Sequence, residues 1–98
     1  MALDTRSPLT KAGDKLDNAW SEFIRESDQS GDAFVAAYDY RETGYAIAEA
    51  AMRQAPADRE IFIDNECDDH DASAQYLIRC AAEFRLTEMD QGSRRIAA

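Results

Sequence analysis

Seven carboxylates (Asp58, Glu60, Asp64, Glu66, Asp68, Asp69 and Asp71) share the fourteen residues from Asp58 to Asp71 with a single cation, Arg59. The local balance is 1 − 7 = −6, against a formal charge of −9 for the whole chain. Like charge at this density repels itself and is costly to desolvate. The segment therefore has to lie at the surface, and a core has to be assembled from what flanks it.

Both flanks read as helical. Ser7-Pro8 has the form of an N-cap followed by the first helical residue, where the missing proline N–H costs nothing. Leu9, Ala12, Leu16, Ala19, Trp20, Phe23 and Ile24 then recur at helical spacing. Gly13 weakens the first turns, so that Asp14 is an alternative start, and Ser27 to Gly31 supplies the stop. Asp32 is the expected N-cap of a second stretch with Phe34, Ala37, Tyr38, Tyr45, Ala48, Ala51 and Met52 along one face. Gly44 allows either one helix to about Gln54 or a break near Thr43, and Pro56 closes the element. The small residues of 46–51 permit close approach of another helix. A last helix, starting near Asp71 or Ser73, turns Ala74, Leu77, Ile78, Ala81, Phe84 and Met89 inward, with Gly92 as its stop.

Ile61-Phe62-Ile63 is the one β-favouring run, and three residues cannot pair with themselves. In order of preference it is an extended anchor for an acidic loop, part of a short helix starting at Asp58, or an edge that pairs with another chain. The fold expected is mainly α: a compact bundle of three to four helices with an acidic loop before the last one and, as an option, one short extended segment. A single domain should span residues 1–98, with 1–6 and 93–98 frayed.

Composition excludes several classes of function. A sequence pI near 4.4 opposes direct binding to nucleic acid or anionic lipid, both of which are polyanions. No apolar run is long enough for a membrane span or a signal peptide, so a cytoplasmic protein is expected. Cys67 and Cys80 are too few for a disulfide scaffold and should remain thiols. Counted as a calcium loop from Asp64, the acidic run has Asp69 where an EF-hand needs glycine and Gln75 where it needs glutamate. Cys67-x-x-His70 has zinc-like spacing, but only Cys80 adds another soft donor. No metal and no cofactor is expected.

An enzyme would need a nucleophile with its base, a pocketed acid–base pair or a phosphate-binding loop. With one histidine and no glycine-rich loop, no such set can be assembled, so the chain reads as non-catalytic. Tyr38, Tyr40 and Tyr45, with Phe34 and Arg41, form a dense aromatic group of the composition found at binding hot spots. Tyr38, Tyr45 and Phe34 share a helical face and are expected in the core. Tyr40 and Arg41 lie on another face and are the better contact candidates.

The natural counterpart of Asp58, Glu60, Asp64, Glu66, Asp68, Asp69 and Asp71 is a basic protein surface, reached by fast and salt-sensitive association. In size, acidity and lack of a catalytic motif the chain resembles the small phage-encoded inhibitors called anti-CRISPR proteins, several of which look like DNA mimics. The resemblance is one of general character over all 98 residues and carries over no functional position. It implies an RNA-guided effector complex, or another nucleic-acid-binding protein, blocked by occupancy of its Lys/Arg-rich groove. The alternative is a helical homodimeric structural or adaptor module whose acidic segment only solvates the surface. A metal-sensing role, the third reading, requires a rise in melting temperature with Ca²⁺ or Zn²⁺.

Overall fold

The computed structural model describes residues 7–27 and 31–97, the last six of these by backbone alone. Four helices follow one another: α1 (Pro8–Glu26), α2 (Gly31–Ala51), α3 (Arg59–Asp68) and α4 (Ala72–Ala97), with a 3-10 turn at Pro56–Asp58 leading into α3. No strand occurs among the described residues.

Helix α1 starts as its sequence indicates. The Thr10 amide donates to Ser7 Oγ at 3.1 Å, and Pro8 occupies the first turn. Leu16 and Ala19 are buried, with Trp20, Phe23 and Ile24 half-buried beside them. Ser27 ends the helix by donating through both its amide (3.1 Å) and its hydroxyl (2.8 Å) to the Phe23 carbonyl. The rest of the expected turn, 28–30, lies outside the described residues.

Helix α2 runs unbroken through Gly44, and it begins at Gly31, which places Asp32 in the first turn and not at the cap. Its buried stripe is Ala33, Ala37, Gly44, Ile47, Ala48 and Ala51, with half-buried Tyr40 in the same row. The stripe expected from the aromatic residues is therefore rotated: Phe34 is 49% and Tyr38 51% exposed. The reason is the proximity of α4. A Cβ built on Gly44 would lie 2.5 Å from the Ile78 carbonyl oxygen and 2.6 Å from Ala81 Cβ. Where two helix backbones come that close, only glycine and alanine fit between them, and the rings turn outward.

Helix α2 ends in a series of turn bonds (Arg53 amide to Ala50 carbonyl and Gln54 amide to Ala51 carbonyl), and Ala55 is extended ahead of Pro56. The segment 59–68, expected as an acidic loop with an extended Ile61–Ile63 anchor, is helical. Three causes act together. Pro56 favours a helical start, Asp58 and Glu60 face the positive end of the helix dipole, and a helix brings Ile63 and Cys67, four residues apart, onto one buried face. Only 69–71 remain as the connection to α4. Gly92 does not stop α4, whose backbone stays helical to Ala97. A mid-helix glycine costs about 1 kcal/mol but leaves the hydrogen-bond ladder intact. Of the ends expected to fray, 93–97 are therefore helical in backbone, while 1–6 and 98 lie outside the described residues.

Helix α4 is the centre, touching α1, α2 and α3. Helices α1 and α3 each also lie against α2, and they make no contact with each other. Two apolar clusters result. One joins Ile47, Ala48, Ala51, Ile63, Cys67, Ala74, Ile78 and Ala82, and the other joins Leu16, Ala19, Ala37, Leu77, Cys80 and Ala81. Tyr40 belongs to both, edge-on to Phe23 at 5.6 Å between ring centres.

Candidate functional site

The acidic residues form an edge along the outer side of α3. Glu60, Asp64 and Asp68 stand one turn apart, about 6 Å per step, along the margin of the face that buries Ile63 and Cys67. Asp58 sits before the helix, Asp69 and Asp71 after it, and all six of these carboxylates are exposed, while Glu66 is half-buried. Ile61, next to Glu60 and one turn before Asp64, is 61% exposed.

The local cations are largely turned away. Arg59 is half-buried in a hollow with Pro8, Met52 and Leu86, and its Nε is buried without a hydrogen-bond partner. Arg79, from α4, pairs with Asp64. Among the described residues none of the other six carboxylates is in an ion pair. The edge carries seven carboxylates against these two guanidiniums, 2 − 7 = −5. Sequence reasoning missed Arg79, though the signal was there: it is the one Lys or Arg from residue 60 to residue 84.

Magnitudes decide what such an edge can imitate. Thirteen residue steps of mostly helical chain extend about 20 Å. Over that length one strand of B-DNA carries about six phosphates and the duplex about twelve. Seven carboxylates, net five after the arginines, match one strand and fall well short of two.

The two aromatic-region candidates fare differently from the edge. Tyr40 is packed between the two clusters and offers little surface. Arg41 is half-buried, its guanidinium stacked on Trp20 (4.9 Å) and Tyr38 (5.1 Å). Phe34 and Tyr38, expected inside, take up the outward place.

The remaining chemistry does not converge. No group of three or more His, Cys, Asp or Glu side chains is arranged to hold a metal ion among the described residues. Cys67 and Cys80 are free, buried and in different clusters. Burial pushes both thiols above their ordinary value of 9.0. A thiol held protonated by the fold adds stability that is fully present below pH 9 and is lost as the pH climbs past it. The melting temperature should thus fall as the pH rises past 9. Thiol labelling at pH 7.5 should proceed no faster than global unfolding, and rapid labelling of the native protein would contradict the burial.

No helix among the described residues is long and apolar enough to cross a membrane. Comparison with protein-family models, with curated proteins and with solved structures finds no match to this chain.

Proposed function

We propose that this protein is a non-catalytic binding protein, acting in the cytoplasm, whose α3 edge occupies a Lys/Arg-rich groove of a nucleic-acid-binding protein. It would work as an inhibitor in the manner of the anti-CRISPR proteins that it resembles. The observation that carries the reading is the set of Asp58, Glu60, Asp68, Asp69 and Asp71, exposed on α3 and at its two ends and without ion pairs among the described residues. Unpaired like charges repel one another in the free protein and gain most when a cationic surface meets them. A spacing close to that of a single DNA strand suits a groove shaped for a phosphate row. Exposed Ile61 supplies an apolar contact beside Glu60 and Asp64, where desolvation strengthens the neighbouring charge pairs.

The test is competition. Purified protein is added to RNA-guided effector complexes and to other proteins with basic grooves, and DNA binding is measured by fluorescence anisotropy. Inhibition should appear at low salt and weaken about tenfold or more between 50 and 300 mM NaCl, because the association is electrostatically driven. Unchanged DNA binding and cleavage across the panel would exclude this class of partner.

A further inference from the structure

A second surface, apart from the acidic edge, is apolar, with charges of both signs around it. Phe34, Val35 and Tyr38 on α2 are 49%, 62% and 51% exposed, three of the five large apolar side chains that stand out from the described surface. Beside them Trp20, Ser21, Ile24, Arg25 and Phe34 line an open hollow of about 420 Å³ between α1 and α2. The fold could have turned these rings inward only by forcing α2 away from α4, so their exposure follows from the Gly44 contact.

We infer that this α1–α2 face is where a second copy of the chain docks, forming a two-fold dimer that leaves both acidic edges free. Charge singles out the occupant. Two copies at −9 each repel, so they meet most readily where apolar surface and charges of both signs lie together. The exposed Asp32 and Asp39 border this face beyond Val35, and on it Arg25 and Arg41 stand with Asp17 and Glu42, a set of both signs. None of these four is in an ion pair among the described residues, so each is available to a group of opposite sign across the interface. A strongly basic or strongly acidic partner would leave half of them opposed. A second copy brings both signs.

Area agrees. Half of each ring of Phe34 and Tyr38, with Val35 and the outer parts of Trp20 and Ile24, amounts to roughly 400 Å² of apolar surface. That is about half of the ~800 Å² per partner in a standard interface, the share expected of an apolar centre inside a polar rim. Arginine stacked on tryptophan and tyrosine is also the side-chain combination enriched at such centres. Phe34, Val35 and Tyr38 lie in the first half of α2, while α3 packs beside Ile47, Ala48 and Ala51 near its other end, so docking through α1 and α2 keeps the two anionic edges apart.

Sedimentation equilibrium of the full chain tests this directly. The mass should rise from 11.0 kDa toward twice that value with concentration. The dimer should tighten modestly as salt screens the residual repulsion, the opposite of the salt response of the acidic edge. Phe34→Glu and Tyr38→Glu should each weaken the dimer about a hundredfold or more, and their partial exposure should leave the far-UV spectrum and unfolding cooperativity unchanged. Neutralising Asp68, Asp69 and Asp71 should leave dimerisation within about twofold. A monomer at all concentrations up to about 0.5 mM would overturn the inference, as would a dimer that both glutamate variants leave intact.

Discussion

Gly44→Ala should lower the stability of this protein by about 2 kcal/mol or more, although alanine is the better helix former. Replacing a glycine inside a helix ordinarily gains about 1 kcal/mol. Here the new methyl would stand 2.5 Å from the Ile78 carbonyl oxygen, 2.6 Å from Ala81 Cβ and 3.0 Å from the Ala82 amide nitrogen. Two of those three atoms are backbone and cannot rotate aside, so α2 and α4 have to separate along their whole shared seam. Overpacking of this kind costs about 1–3 kcal/mol where side chains can yield, and more where they cannot. Separation also loosens the contacts that Ile47, Ala48 and Ala51 make with α4. With about 4–8 °C lost per kcal/mol in a domain of this size, the melting temperature should drop by about 10 °C.

Gly13→Ala is the control. A Cβ at Gly13 would meet only the Phe84 ring, at 3.4 Å, which is ordinary contact with a side chain that can adjust. That variant should be neutral or stabilised by up to about 1 kcal/mol. Thermal melts of the two alanine variants side by side separate helix propensity from interhelical fit. Equal shifts would mean that the α2–α4 spacing is wrong.

Replacing the acidic edge should have the opposite profile, with a large effect on binding and almost none on stability. The variant Glu60→Gln, Glu66→Gln, Asp68→Asn, Asp69→Asn and Asp71→Asn removes five charges and leaves Asp64 in place to hold Arg79. Exposed charges without partners contribute little to folding, and relief of their repulsion should keep the melting temperature equal or slightly higher. Binding to a cationic groove should weaken about a hundredfold, or about 2.8 kcal/mol, since several charge contacts are lost at once. The slope of log Kd against log salt should flatten in the same titration, measured by anisotropy with the partner that the competition panel identifies. A variant that fails to fold would show these side chains to be structural, and a variant that binds normally would show the edge to be mere solvated surface.

Much of the architecture was legible because it is local. Ser7-Pro8 announces α1, and the recurrence of Leu16, Ala19, Trp20 and Phe23 orients it, since both depend on hydrogen bonds and periodicity within a few residues. The exposure of the acidic residues follows from electrostatics whichever secondary structure they adopt. Whether Ile61–Ile63 would be extended or helical could not be read from three β-branched and aromatic residues. The outcome depended on the burial of Ile63 and Cys67 beneath α3, a matter of what α4 offers fifteen residues further on.

The part that sequence patterns misplace is the direction in which α2 faces. Hydrophobicity favours burying Phe34 and Tyr38, and any periodicity argument weights large rings over alanines. The fold buries Ala33, Ala37, Gly44, Ala48 and Ala51 instead, because close backbone contact with α4 gains dispersion along the whole seam and leaves no volume for rings. Residue order alone settled that the chain would be mainly helical, with its concentrated charge at the surface. Which helix lies at the centre, which aromatic residues face water and which carboxylate meets Arg79 depend on distances between residues far apart in the chain, and those exist only once the helices have packed.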